Sequence, residues 1–397
     1  MTSDLLSNNS LTPLETGGNE CIIITGATGF LGRQILALLL ERYPEARFVL
    51  PVRDKGSSSP EQRIESIVKQ ICSSKSRARA VARIEVARAD LRLDRCGLSS
   101  YDYDKVVAQT TRIIHSAATV RFDHPLDEAR YINVGGTVSM LALASEAYKR
   151  GVMRSFTHVG TAFVAGDRNG TAYEDELEKG QSFRNTYEQT KCEAERFVRD
   201  RMNELPIIIT RPSIIVGDSR TGITTSFKAL YWPLKVYAKG WWRTVPGYPE
   251  AVIDLVPVDF VSEAVAHLAF EPKALGKCAH VCAGPRGNAT IKAISDYASR
   301  IFNRPRPRFV EPAIFLALIL PLLNLLLLGN RRRVLKEGHV YTPYFRMKTI
   351  FDTSNAEALL SPAGIEAPNV MAYIEKLFQY CIETDWGNKH LQGRSTK

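Results

Sequence analysis

The most constraining stretch of the 397-residue chain is Cys21 to Gly32, CIIITGATGFLG. Its first five residues form an uninterrupted apolar, β-branched run, which suits a strand buried on both faces. Gly26, Gly29 and Gly32 follow, and Arg33 to Arg42 then carries Ile35, Leu38 and Leu39 at helical spacing. The order is strand, glycine turn, helix. Gly26 permits the tight turn, Gly29 lets backbone approach a pyrophosphate, and Gly32 lets the helix pack closely on the strand. The helix N-terminus then faces the phosphates with free N–H groups and a favourable dipole. Glycines at this spacing say little alone; the strand before them and the helix after them give the pattern its force. With the three glycines, Thr28, Phe30 and Leu31 are read as cofactor-binding.

Phe48 to Val52, Arg83 to Ala87, Arg112 to His115, Ser155 to Val159 and Pro206 to Arg211 read as the second to sixth strands. Gln62 to Cys72, Asp127 to Tyr148 and Thr186 to Glu204 read as helices between them. This alternation predicts an α/β fold, a doubly wound parallel sheet of Rossmann type, with ligands at the carboxyl ends of the strands. From about Gly217 the pattern changes. Tyr231 to Trp242 is aromatic and basic, Ala251 to Val256 and Ala279 to Ala283 read as short strands, and Asp259 to Phe270 and Ile291 to Phe302 as helices. The expected organisation is a disordered polar tail over 1–19, a dinucleotide-binding domain over 20–218, and a smaller C-terminal substrate lobe over 219–397. Elements around 251–283 are expected to be able to return to the core. The tail has no apolar run and does not read as a signal peptide.

The net charge of +10, from 52 basic and 42 acidic residues, favours an anionic partner: a phosphorylated cofactor, coenzyme A or an acidic membrane surface. No dense basic and aromatic patch argues for nucleic acid. Seven scattered cysteines without a CxxC pair point to a reduced, cytoplasmic chain with neither disulfides nor a metal site. Cys278 and Cys282 are expected in a buried strand.

Reduction of a carbonyl needs a hydride donor held flat, a group that protonates the oxygen, and a nearby positive charge. A tyrosine can give that proton near neutral pH when a cation lowers its pKa. Tyr187 and Lys191, in YEQTK, are four residues apart and share one helix face. Three more YxxxK pairs occur, Tyr101/Lys105, Tyr231/Lys235 and Tyr344/Lys348. Position selects among them: only Tyr187 begins a helix between the fifth and sixth strands. Thr161, in VGTAF at the tip of the fifth strand, brings a second hydroxyl to the substrate oxygen. Cys192 adjoins Lys191, but one helical step turns it about 100° away, and packing is its expected role. The second strand ends Pro51-Val52-Arg53-Asp54-Lys55. Arg53 stands where an acidic residue would bind the ribose of NAD, and a guanidinium there suits the 2′-phosphate of NADPH. Asp54, one residue later, leaves NADH open.

The TGxxGxxG spacing resembles the extended short-chain dehydrogenase/reductase superfamily. Within it, HSAATVRFDHPLDEARYINVGGT, VGTAFVAG, YEQTKCEAE, RPSIIVGDSRTG and GYPEAVIDLVPVDFVSEAV are similar to fatty acyl-CoA reductases of the male-sterility type. They are also similar to the thioester-reductase domains that end carboxylic acid reductases and some peptide synthetases. The likeness covers roughly residues 21–270. It implies that Lys191 also bonds the nicotinamide ribose, that Pro212, Ser213 and Ile214 pack near nicotinamide, and that Asp90 and Leu91 match the adenine pocket. Ser116, Ala117 and Ala118 would lie beside the cofactor, and Asn133 would be structural. The implied activity is NADPH-dependent reduction of an acyl thioester, carried by coenzyme A or an acyl carrier protein, to an aldehyde and then, with a second hydride, an alcohol. Two rivals share these motifs: a ketone or alcohol oxidoreductase acting on a steroid or secondary metabolite, and a non-catalytic NADP-binding protein.

Ala313 to Leu328, AIFLALILPLLNLLLL, stands apart. From Pro312 to Asn330 there are 19 residues without a charge, near the length that spans a bilayer. Pro321 and Asn324 interrupt the run. Arg304, Arg306 and Arg308 precede it, and Arg331, Arg332 and Arg333 follow it. This pattern suits a segment lying in an anionic membrane surface, or else a lid or buried helix over an apolar tunnel.

Overall fold

The structure is a computed structural model describing residues 20–241, 243–326, 329 and 338–389. The expected tail over 1–19 and the arginines Arg331 to Arg333 lie outside the described residues. Strand β1 (Cys21–Thr25) is buried along its whole length. Ile22 and Ile24 face one core while Cys21 and Ile23 face the other, which is why the run lacks polar alternation. β1 lies inside a seven-stranded sheet with β2 (Arg47–Val52), β3 (Ile84–Arg88), β4 (Arg112–His115), β5 (Ser155–Val159), β6 (Ile207–Thr210) and β7 (Cys278–Ala279). The order is β7–β6–β5–β4–β1–β2–β3, and all pairings are parallel. Strand order reverses between β1 and β4, so a crevice opens at their carboxyl ends.

Helix α1 (Phe30–Arg42) follows the glycine turn. Gly26 has φ +73°, and a Cβ on Gly32 would sit 2.2 Å from the Gly26 carbonyl oxygen. Only glycine at both positions permits so close an approach of helix to strand. Helix α2 (Leu126–Lys149) and helix α3 (Thr186–Arg199) cover the opposite sheet face, and helix α4 (Val258–Leu268) packs beside α1.

The C-terminal part does not stand off from this core. Helix α5 (Val370–Glu383) buries Val370, Ile374, Leu377, Phe378 and Cys381, spaced as one helical stripe, and they join the cluster that holds Ile22 and Leu36. Short parallel pairs tie distant segments together: Ile214–Val216 with Leu255–Pro257, and Gly170–Ala172 with Thr349–Phe351.

Several boundaries differ from the sequence reading. The helix expected to reach Glu204 ends at Arg199. The strand expected over Ala251 to Val256 is two short strands, Val252–Ile253 and Leu255–Pro257, separated at Asp254. Asp254 turns its carboxylate inward, where the backbone N–H groups of Ala283 and Gly284 donate to it at 2.9 Å each. The described part of the apolar run is Pro312–Ile314, a wider turn Phe315–Ile319, and Leu320–Leu326. Among the described residues no helix is long and apolar enough to cross a membrane.

Candidate active site

The carboxyl ends of β1, β4, β5 and β6 open into one cavity of about 870 Å³. Gly26, Gly29, Phe30, Leu31 and Gly32 line it from the glycine turn. Ser116 and Ala118 come from the segment after β4, Thr161 from that after β5, Tyr187 and Lys191 from α3, and Pro212, Ser213 and Ile214 from that after β6.

Helix α3 is fixed at three points. Asn185 caps it by accepting the Glu188 N–H at 3.0 Å, which puts Tyr187 in the first turn. Buried Asn133 on α2 donates to Thr190 Oγ1 at 2.9 Å and accepts the Thr119 N–H at 2.8 Å, joining α3 to the segment after β4. Farther along, buried Arg211 meets Glu195 at 3.0 and 2.6 Å and ties the helix to the end of β6. Burial alone would push the Glu195 carboxyl up; Arg211 and Arg199 outweigh it and hold the group below the ordinary carboxylate range.

These ties set Tyr187 on the same cavity wall as Thr161, whose hydroxyl donates to the Pro212 carbonyl at 3.3 Å. Burial raises the Tyr187 pKa to about 12, against a smaller downward pull from Thr161. Lys191 Nζ donates to the Val159 carbonyl at 2.9 Å and lies 3.5 Å from His158 Nε2. Burial lowers the Lys191 pKa to about 8, opposed by Glu195. The expected lowering of the Tyr187 pKa by Lys191 is therefore corrected. The ammonium is turned to a main-chain carbonyl, and desolvation dominates the phenol. A phenol that keeps its proton through the neutral range is poised to give it to a substrate.

The surrounding histidines are neutral. Burial pushes His158 well below its usual range, assisted by Lys191, and its Nδ1 has no hydrogen-bond partner among the described residues. Burial likewise lowers His115 to about 3; its ring nitrogens lie 2.8 Å from Thr25 Oγ1 and 3.1 Å from Thr137 Oγ1. Ser213 donates to Asp254 at 2.5 Å, which anchors the loop after β6.

At the other end of the cavity, the N-terminus of α1 has no side-chain cap and no acidic residue in its first turn. Its leading N–H groups are open to an anion. Arg33 donates to the Thr28 carbonyl at 3.2 Å, and Arg63 donates to Thr28 Oγ1 at 3.0 Å and to the Arg53 carbonyl at 2.8 Å. Among the described residues no group of His, Cys, Asp or Glu is placed to hold a metal.

Residues 24–265, well over half of the chain, match the model of the NAD-binding family described as male sterility protein. The chain belongs to this family. Fatty acyl-CoA reductase 2 of Bos taurus is 29% identical over 281 residues, 62% of this chain and 53% of that protein. The fatty acyl-CoA reductase wat of Drosophila melanogaster is 28% identical over 283 residues, 63% of this chain and 54% of that protein. The chain spans about half the length of the curated relatives it matches. A solved structure, the terminal R domain from the myxalamid PKS-NRPS biosynthetic pathway, is similar with a TM-score of 0.79 at 25% identity, over 94% of this chain and 93% of that one. UDP-glucuronic acid 4-epimerase from Bacillus cereus in complex with NAD shares the fold, with a TM-score of 0.63 at 18% identity over 92% of this chain and 97% of that one.

In this male-sterility-type chain the sequence-predicted residues divide into two groups. The glycines, Phe30, Leu31, Ser116, Ala118, Thr161, Tyr187, Lys191, Pro212, Ser213 and Ile214 meet on the cavity wall. Thr28, Arg53, Asp90, Leu91 and Ala117 are not among the residues that line it. Arg53 is exposed at the end of β2. The Asp90 carboxylate is paired with Arg92 at 2.5 to 3.0 Å, and Leu91 packs towards Gly136. The Ala117 N–H donates to Thr25 Oγ1 at 3.1 Å. Sequence reasoning missed Arg33, Arg63, Phe122, His158, Glu188 and Asp254 as parts of the site. Arg33 and Glu188 adjoin recognised residues, Gly32 and Tyr187, and could have been found by that adjacency. Tyr344 had been noticed only as a spare YxxxK tyrosine, yet it lines the cavity.

The free-enzyme ionisations of this site govern kcat/KM. Lys191 loses its charge as pH rises through about 8, while Tyr187 keeps its proton far beyond that. Turnover at this site that needs a charged Lys191 should therefore fall in kcat/KM above about pH 8, and Lys191→Arg, which stays charged, should move the fall to higher pH. Steady-state rates between about pH 6 and pH 10 check it. A fall that does not move in the Arg variant would assign the titration to another group.

Proposed function

We propose that this chain reduces an acyl thioester to an aldehyde and a free thiol, using NADPH. One arrangement carries the reading. Thr161, Tyr187 and Lys191 stand on the wall of a single cavity that the glycine turn lines in one part and apolar side chains line in another. Leu230, Leu234, Ile253, Ile291 and Ile294 belong to that apolar part, which suits an acyl chain. The fatty acyl-CoA reductase relatives and the R-domain neighbour support the thioester as substrate.

The glycine turn fits a nicotinamide dinucleotide. Cβ atoms on Gly26 and Gly29 would come within 2.9 and 3.0 Å of backbone, and the uncapped α1 N-terminus faces the same space. When bound, that cofactor supplies the hydride that reaches the thioester carbonyl carbon. Lys191 would hold its ribose, with Pro212, Ser213 and Ile214 near its nicotinamide. Tyr187 gives its phenolic proton to the carbonyl oxygen, and Thr161 steadies that oxygen with a second hydrogen bond. The resulting hemithioacetal collapses: the carbon–sulfur bond breaks, the carbonyl reforms, and the hydroxyl proton leaves with the thiol. A second hydride and proton would give the alcohol.

Arg33 and Arg63 converge on Thr28, and Arg53 stands at the end of the adjacent strand. Guanidinium groups gathered there favour the 2′-phosphate of NADPH over the bare ribose of NADH. On the cavity rim, exposed Arg121 and Lys228 suit the phosphates of coenzyme A or of an acyl carrier's phosphopantetheine arm. Of the apolar run, Ile314, Leu318 and Leu322 are 50%, 68% and 54% exposed, at a spacing that puts them on one helix face. None of these three lines the cavity, which favours contact with a lipid surface over a lid. Arg304, Arg306 and Arg308 just upstream favour an anionic one, such as the cytoplasmic face of a membrane.

The deciding assay is NADPH oxidation with a panel of acyl-CoA chain lengths and ketones, with products identified by mass. Acyl-CoA should be turned over to aldehyde, and Tyr187→Phe should cost on the order of 10² to 10³ in rate while cofactor still binds. Turnover of ketones alone, or a Phe variant near wild type, sinks the proposal. For the cofactor, Arg53→Ala and Arg63→Ala should each weaken NADPH by about 1.5–3 kcal/mol, roughly ten- to a hundred-fold, and NADH little. Equal losses for both dinucleotides, measured by fluorescence titration, would show that these arginines do not read the phosphate. For the membrane, the wild-type chain should float with phosphatidylserine liposomes, and Leu318→Asp with Leu322→Asp should abolish flotation without lowering the melting temperature. Flotation unchanged by the two aspartates, or absent in the wild type, removes the lipid surface from the account.

A further inference from the structure

Tyr344 lies far along the chain, in the helical turn His339–Arg346, yet it stands in the cavity wall beside the catalytic helix. Its hydroxyl donates to the Glu188 carboxylate at 2.6 Å and accepts from Asn185 Nδ2 at 2.8 Å. Glu188 is fully buried and also pairs with Arg184 at 3.3 Å. The Tyr344 phenol is therefore occupied, and what the residue offers the cavity is its ring. That ring stacks on Phe122 with centroids 5.9 Å apart and meets Phe163 edge-on at 5.6 Å. Phe122 in turn lies 6.0 Å from the ring of Tyr187.

The segment that carries Tyr344 is held from both sides. The Tyr248 N–H donates to the Phe345 carbonyl at 3.0 Å, and the strand Thr349–Phe351 pairs with Gly170–Ala172. On the other side of Phe122, the Thr186 hydroxyl donates to the His124 carbonyl at 3.0 Å and so pins that loop to the start of α3. The aromatic group is thus clamped between the catalytic helix and a fixed strap.

We propose that Tyr344 is a specificity-determining residue: with Phe122 and Phe163 it forms a rigid aromatic wall beside the carbon next to the reacting carbonyl, admitting acyl thioesters that are unbranched there. The inference rests on the thioester reading above. A carbonyl oxygen bonded to Tyr187 and Thr161 lies about 2.7 Å from the phenol. The flanking carbon then falls beside Phe122, the wall ring that packs on Tyr187. A methyl branch on it has to push Phe122 against Tyr344, whose hydroxyl is bonded to a buried carboxylate, and a ring backed in this way does not yield. Because Glu188 directly follows Tyr187, the helical turn that presents the acid also anchors the wall.

The test compares octanoyl-CoA with 2-methyloctanoyl-CoA, both as substrates and as their non-reducible thioether analogues measured by calorimetry. The wild type should favour the straight chain. Tyr344→Ala should raise the branched-to-straight ratio about tenfold or more, in kcat/KM and in affinity alike. Tyr344→Phe, which keeps the ring but loses the hydroxyl that anchors it to Glu188, should raise the ratio clearly less than Tyr344→Ala does. An unchanged ratio in a folded Ala variant overturns the inference, and so does a shift in the Phe variant as large as in Ala. Should Tyr344→Ala fail to fold, Phe122→Leu opens the same wall and must raise the same ratio. A wild type that binds the thioethers but reduces no thioester refutes the proposed reaction, while the affinity ratios still decide the role of the wall.

Discussion

The molecule is organised by the contact between the start of α1 and the end of β1. A Cβ on Gly32 would lie 2.2 Å from the Gly26 carbonyl oxygen, so any side chain there would drive helix and strand apart. With glycine, the uncapped N-terminus of α1 sits at the crevice where strand order reverses. The parallel sheet then brings the ends of β4, β5 and β6 to the same edge, and each delivers part of the cavity. Thr161 and Lys191 share that space with the glycine turn through sheet geometry, although they are far from it in the chain.

Burial sets the electrostatics of the site more than charge does. It keeps Tyr187 protonated, holds His115 and His158 neutral, and brings Lys191 down to about 8. A site built this way is disposed to give a proton. That is the requirement of carbonyl reduction, where the oxygen gains negative charge as hydride arrives. A strongly charged buried pair near it, Arg211 with Glu195, lies behind α3 and locks the helix in place. Its two partners satisfy each other, and the surrounding carbonyls of Glu174 and Glu176 take further guanidinium hydrogens.

The C-terminal half is coupled to the dinucleotide side at several points. β7 completes the sheet, α5 enters the core cluster that also holds Leu36, Asp254 holds Ser213, and Tyr344 reaches back to Glu188. The glycine-turn side and the apolar side of the cavity therefore share supports. A change in the lobe can reach the reacting atoms through Glu188 and Asn185 without touching Tyr187 itself.

Local signals made much of this legible in the sequence. The all-apolar run of β1, the glycine spacing and the helical stripe of α1 are short-range features, and they determined the fold class and the cofactor crevice. Tyr187 and Lys191 were found because one helix sets their mutual geometry and chain order placed that helix between two strands. Asn133 was assigned its structural role by resemblance, and its bonds to Thr190 and Thr119 agree with that role. What the sequence could not determine depended on contacts between distant segments. Asp254 breaks a strand because N–H groups some thirty residues away need its carboxylate. Lys191 faces Val159 instead of the phenol because burial and a nearby carbonyl settle where the ammonium rests. Tyr344 joins the site only through a strap that folds back across the molecule. Such pairings have no periodicity or spacing to announce them, because the side chains that meet are brought together by the closure of the whole chain, and only the tertiary structure decides them.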